Sequence, residues 1–269
     1  MTVTGGTSTA TGPAASPPPR RRTRLLAGLA LVAAVVVVAV VVAVRGPDGG
    51  GGPADGPAGT TGVPDVAVIG DSLIEQSRDQ LSAHAEATGL SVEAVAFGGS
   101  APCDWRDDFE RFADEEVGTL IVSFAGNDNT PCVNPTGGGF RDPQTIADAY
   151  AVMVPELLDL YAGTGTDIYL VVPPPVGPPA SEPAAAAIRA VYRGIADDRA
   201  DVTLVDPGPA LSPDGAFHAA LPCEAWEADV CGPDGTVAVR NADGIHLSPA
   251  GGERYARVLL AAIGHPVAG

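Results

Sequence analysis

From Pro64 onward, short runs of aliphatic and β-branched residues alternate with longer stretches of helical period. Val66 to Ile69, Val92 to Phe97, Leu120 to Phe124, Ile168 to Val172 and Val202 to Val205 are mostly continuous apolar runs of strand length. A strand with one wet face alternates polar and apolar residues, whereas continuous runs belong to strands covered on both faces, as in a parallel sheet between helices. Between the runs, Leu73 to Thr88, Asp142 to Tyr161 and Glu182 to Asp198 read as helices. Asp142-Pro143 is a helix start signal. It sets a side chain that accepts from orphan backbone N–H groups before a proline whose fixed φ suits the first helical turn. Ser248-Pro249 repeats it and opens a last helix running to about Ile263. The pattern predicts an α/β domain with a five-stranded parallel sheet. The stretch Pro207 to Ala242 fits neither period, holds Trp226 and two cysteines, and reads as a long loop stapled by a disulfide.

The amino-terminal part has another pattern. Leu25 to Val44 is twenty uncharged apolar residues, enough for a helix to cross the roughly 30 Å of a bilayer core. Arg20, Arg21, Arg22 and Arg24 precede it and Arg45 alone follows, so the positive-inside rule puts the amino end in the cytoplasm and the rest outside. The apolar run exceeds the core of a cleaved signal peptide, and Val41 and Val42 interrupt the small-residue pattern that cleavage needs. The expectation is a single uncleaved anchor at the cell membrane, with a secreted domain as the alternative if the segment is removed. Residues 45–63 are rich in glycine and proline with little to bury, which makes them a linker. The organisation expected is a basic cytoplasmic tail over 1–24, a transmembrane helix over 25–44, the linker, and one domain over 64–269.

Charge narrows the partners. All fifteen basic residues are arginine, and from Gly46 on ten of them face 33 acids, a formal −23. Nucleic acid and anionic lipid surfaces are poor partners for such a domain. Cys103, Cys132, Cys223 and Cys231 all lie in the part expected outside the cytoplasm, where disulfides persist. Three pairings are open; the one expected joins Cys223 to Cys231 across a short loop and Cys103 to Cys132. No C-x-x-C pair supports a zinc site, and Asp104 to Glu110, although acidic, lacks ordered calcium-ligand spacing and reads as a solvated helix face. No metal or cofactor is expected.

Four groups carry candidate chemistry. Gly70-Asp71-Ser72 follows the first strand, Gly98-Gly99 the second, Gly126-Asn127-Asp128 the third, and Asp243 to His246, within DGIHLSPAG, precedes the last helix. Each alone is what strand ends and turns commonly contain, and Ser72 alone is what a helix cap looks like. Together, Ser72 is a candidate nucleophile, His246 its base and Asp243 the group that orients the imidazole. The Ser72 backbone N–H, a Gly99 N–H and the Asn127 amide are donors for an oxyanion.

In order and spacing the four groups resemble the blocks of the SGNH, or GDSL-type, hydrolases, and the resemblance spans the whole of the domain. It implies a three-layer α/β/α sandwich, flavodoxin-like in its sheet, with Ser72, Gly99, Asn127 and His246 around one pocket and Asp243 completing the triad. Gly98 is the alternative to Gly99. The α/β-hydrolase elbow G-x-S-x-G is absent. Cys103 trails Gly99 by four residues and Cys132 trails Asn127 by five, so a bond between them would fix donor positions if both loops flank the pocket. The activity implied is hydrolysis of acyl esters, small molecules or polysaccharides, with removal of small O-acyl groups as the leading expectation. The alternatives are O-acyl transfer to an envelope carbohydrate, lipase action on long chains, and a non-catalytic carbohydrate-binding relative.

Overall fold

A computed structural model describes residues 62–137 and 141–268. The basic tail, the apolar segment 25–44 and nearly all of the linker lie outside the described residues, and among those described no helix is long and apolar enough to cross a membrane. The main sheet comprises β1 (Val66–Gly70), β2 (Val92–Ala96), β3 (Thr119–Ser123), β4 (Asp167–Val171) and β5 (Val202–Val205). Its order is β2-β1-β3-β4-β5 and every pairing is parallel. Each strand matches an expected run to within a residue or so.

The period of two sends alternate strand residues into different cores. Ala67, Ile69, Leu120, Val122, Ile168 and Leu170 face one side, where they meet helices α2 (Arg106–Asp114), α3 (Pro143–Leu158) and α4 (Glu182–Asp198) through Phe109, Phe112, Tyr150, Leu157, Ile188 and Tyr192. Val66, Val68, Ile121 and Val205 face the other, against Ile74 and Leu81 of α1 (Ser72–Thr88) and Tyr255, Leu259 and Leu260 of α6 (Pro249–Ala262). Helices on both faces make the three layers. Each fully buried side chain of this size contributes about 1.5–3 kcal/mol, which is why the sheet needs helices on both sides.

The helix start signals work as the sequence predicts. Asp142 accepts from Thr145 N at 3.0 Å with Pro143 in the first turn, and Ser248 accepts from Gly251 N at 3.0 Å with Pro249 in the first turn. The helix expected over Asp142 to Tyr161 ends as an α-helix at Leu158 and tightens into a 3₁₀ turn over Asp159–Tyr161. The acidic stretch after Cys103 is more than a solvated face. Its helix α2 exposes Asp107, Glu110 and Asp114, pairs the half-buried Asp108 with Arg111, and buries Phe109 and Phe112. The 207–242 excursion has structure of its own: a single turn α5 (Gly208–Leu211) and an antiparallel pair, β6 (Ala220–Pro222) with β7 (Thr236–Ala238). Three-residue strands are too short to show a period. Both disulfides form as expected, Cys103–Cys132 and Cys223–Cys231.

Candidate active site

The chain runs from β1 to β2 on one side and returns to β3 on the other. That reversal opens a crevice at the carboxyl ends of the strands, the usual ligand position in open α/β sheets. Three of the four candidate blocks leave the sheet there, after β1, β2 and β3.

At the end of β1, Gly70 is required by space. A Cβ would stand 2.4 Å from Ile74 Cγ1 and 2.8 Å from Ser123 O. The helix cap is Asp71, whose Oδ1 accepts from Leu73 N at 3.1 Å. Ser72 is therefore released from capping. It occupies the first helical position, is 8% exposed, and its N–H belongs to the amino-terminal set that lacks an intrahelical acceptor. The helix dipole favours negative charge at that point.

After β2, Gly98 backs onto the serine: a Cβ on it would lie 3.6 Å from Ser72 Cβ and 3.0 Å from Glu75 Oε2. Gly99 has φ +85° and open space around it, a backbone state that side-chain-bearing residues rarely adopt. Gly99 thus has a conformational reason to be glycine, whereas a Cβ on Gly98 would ask only the tip of Glu75 to give way. Ser100 is fully buried; its Oγ donates to Phe97 O at 2.7 Å and accepts from Trp105 Nε1 at 2.9 Å.

After β3, the Asn127 amide donates to Asp71 Oδ2 and to Ser100 O, both at 3.0 Å. Tyr150 Oη donates to Asn127 O at 3.1 Å. Asp71 Oδ2 also accepts from Ala125 N at 2.7 Å. Asp71 is wholly buried, and burial pushes its carboxyl up to about 6 against the opposing pull of the Ala125 and Leu73 N–H groups and of His246. The Cys103–Cys132 bond joins the segments after β2 and β3.

The fourth block is the turn before α6. His246 Nδ1 lies 2.6 Å from Asp243 Oδ2, while Asp243 Oδ1 accepts from Ile245 N at 2.9 Å and His246 N at 3.0 Å. Partial burial alone would raise the Asp243 carboxyl; the hydrogen bonds from His246 and Ile245 outweigh it and hold the group down to about 2. An ionised carboxylate only accepts, so the shared proton sits on Nδ1, and in the neutral imidazole Nε2 carries the lone pair. Gln76, one turn beyond Ser72, accepts from Leu247 N at 2.7 Å and ties this turn to α1. Among the described residues no hydrogen bond joins Ser72 Oγ to His246, and such contacts often close only when substrate binds.

Asp71, Gln76 and Ser100 are the members of this site that the sequence reading left out. Asp71 stands inside the motif, but its second oxygen reaches residues 54 and 56 positions away, which no local pattern encodes.

The fold is the one found in solved structures of a GDSL-like lipase and of acetyl xylan esterases, the fold class that the four sequence blocks resemble. Within it, the chain belongs to the family described as Protein of unknown function (DUF459), whose model matches residues 65–262. No curated protein matches its sequence. Solved structures share the fold, three of them as follows. A variant of an acetyl xylan esterase from Geobacillus stearothermophilus is 16% identical, with TM-score 0.53 over 77% of this chain and 98% of that one. The hydrolase LAE5 from a Lake Arreo metagenome is 17% identical, with TM-score 0.53 over 78% and 99%. A GDSL-like lipase from Bacteroides thetaiotaomicron is 12% identical, with TM-score 0.50 over 74% and 87%.

Proposed function

We propose that the protein is a serine esterase that hydrolyses acyl esters outside the cytoplasm, held at the membrane by residues 25–44. The observation that carries this reading is the 2.6 Å contact between His246 Nδ1 and Asp243 Oδ2, in a turn fastened through Gln76 to the helix that begins at Ser72. Ser72 Oγ attacks the ester carbonyl and gives its proton to His246 Nε2, whose lone pair is available because Asp243 holds the other ring proton. The Ser72 and Gly99 N–H groups and the Asn127 amide stabilise the oxyanion. Collapse of the tetrahedral intermediate breaks the carbonyl-to-alkoxy bond, the departing alcohol takes the proton from His246, and water then repeats the cycle on the acyl-enzyme. The shared fold with an acetyl xylan esterase and a GDSL-like lipase supports ester chemistry, and the former favours small O-acyl groups.

Replacement of Ser72 by alanine is the decisive experiment. Losing the nucleophile of such a triad leaves only about 10³–10⁴-fold catalysis over water, so Ser72→Ala should abolish measurable hydrolysis on a panel of acyl esters while the thermal transition stays in place. A folded variant with unchanged turnover would remove the serine mechanism. The same panel, graded by acyl chain length, should give its highest kcat/KM for acetyl or similarly short esters.

A further inference from the structure

We infer that Asp71 is a positioning residue of the oxyanion site: its buried carboxylate fixes the orientation of the Asn127 amide for hydrolysis at Ser72. The inference rests on the reading of Ser72 as nucleophile.

Capping does not account for an aspartate here. The α1 cap uses Oδ1 alone, through Leu73 N, and serine or asparagine would cap as well without a buried charge. The wholly buried Asp71 carries that charge among Tyr150, Tyr192 and Tyr255. Burying a carboxylate is costly unless its oxygens are hydrogen-bonded. The second oxygen is bonded away from the helix, accepting from Ala125 N at 2.7 Å and Asn127 Nδ2 at 3.0 Å. N–H donors converge on both of its oxygens, and hydrogen bonds to the charged form favour it. One residue therefore receives N–H groups from the start of α1 and from two points beyond β3.

The consequence falls on Asn127. Its amide has two N–H groups and one carbonyl oxygen, and in isolation it turns over readily. With one N–H on Asp71 Oδ2 the end that carries hydrogens is fixed, and the other N–H is aimed at the segment after β2, where it meets Ser100 O at 3.0 Å. An oxyanion beside Ser72 draws on that second N–H. Asparagine at position 71 would keep the bond from Leu73 on its oxygen but turn its own NH₂ toward Ala125 N and Asn127 Nδ2, donor against donors. Turning Asn127 over removes its own part of the clash, at the cost of setting its carbonyl oxygen toward Ser100 O and the developing negative charge.

A double-mutant cycle on the full-length chain tests this through kcat and KM for ester hydrolysis. Asp71→Asn should lower kcat by about tenfold or more with little change in KM, because the amide is used chiefly in the transition state. The double variant Asp71→Asn, Asn127→Ala should be no slower than Asn127→Ala, since a residue that acts through Asn127 has nothing to act on once its amide is gone. Losses that multiply in the double variant, or an Asp71→Asn kcat within about twofold of the parent, would overturn the inference. A fully active Ser72→Ala overturns the serine reading and this inference with it, whereas an inactive Ser72→Ala with multiplying losses overturns this inference alone. If Asp71→Asn does not fold, the unsubstituted protein answers by NMR. The Asn127 side-chain N–H signals, identified by their loss in Asn127→Ala, should exchange slowly with water, and rapid exchange counts against the clamp.

Discussion

Two carboxylates of the site respond to their surroundings in opposite directions. Asp71 is pushed up to about 6 by burial, so the folded state holds its proton more tightly than the unfolded chain, where the group titrates near 3.8. Its contribution to stability is present below that lower value and is lost as pH rises through about 6. The ionised form that binds Asn127 at neutral pH is therefore obtained at a cost in stability, a common bargain at functional sites. Melting temperatures across pH 4 to 7 should show the parent losing ground to Asp71→Asn as pH rises; a constant difference would mean that the carboxyl does not titrate in this window. Asp243, held down to about 2, behaves in reverse. Its contribution is present above about 3.8 and disappears as pH falls through about 2. Asp243→Asn removes the acceptor that keeps the proton on His246 Nδ1, and kcat should fall by about 10⁴, the loss seen when the equivalent change imposes the wrong tautomer on a serine triad. Retention of full kcat would leave the His246–Asp243 contact a structural one.

Whole elements hold these side chains in place, and two joints between them are open to test. The turn bearing His246 enters α6 through Ser248, Pro249, Ala250 and Gly251, and a Cβ on Gly251 would lie 2.0 Å from Val239 O. Backbone cannot give way as a side-chain tip can. Gly251→Ala should lower stability by about 1–3 kcal/mol, the usual cost of overpacking, read as a shift of the denaturant midpoint. The second joint is the Cys103–Cys132 bond, which closes a separation of 29 residues between the segments after β2 and β3. In the chain-entropy model such a closure stabilises by roughly 3–4 kcal/mol. The same segments meet through Asn127 Nδ2 and Ser100 O. Replacing both cysteines by serine should therefore reduce kcat as well as stability, at temperatures where the domain remains folded. Undiminished kcat in the double variant would leave the bond a staple and nothing more.

At the scale of the whole domain, the excursion between β5 and α6 is fastened by a buried ion pair. Glu227, on the disulfide loop, accepts from Arg254 Nε at 2.8 Å and Nη2 at 2.6 Å, and both residues are buried. Arg254→Met should destabilise by about 3–5 kcal/mol because it strands a buried carboxylate; a loss below about 1 kcal/mol in a denaturant titration would mean that the loop relaxes and hydrates Glu227. Much of this architecture was legible in the sequence because it follows local rules. The continuous apolar runs pointed to the parallel strands, Asp142-Pro143 and Ser248-Pro249 to two helix starts, and the four blocks to Ser72, Asn127, Asp243 and His246 as candidates at the ends of elements. Helix α2 was half legible: Asp104 to Glu110 read as a solvated face, while Phe109 and Phe112, three apart, were the signal for the buried one. The β6–β7 pair was not legible, since strands of three residues have too little length to show a period. Cap or nucleophile was the question Ser72 posed, and Asp71 answered the first half of it by taking the cap. What the sequence determined by itself is the set of elements and the chemical groups at their ends, because propensity, capping and turn formation act over a few residues. The tertiary structure decided which groups meet: Asp71 with Ala125 and Asn127, Asn127 with Ser100, Gln76 with Leu247. Those contacts span 27 to 171 positions of chain, and only the packing of the helices on both faces of one sheet brings their atoms within hydrogen-bonding distance.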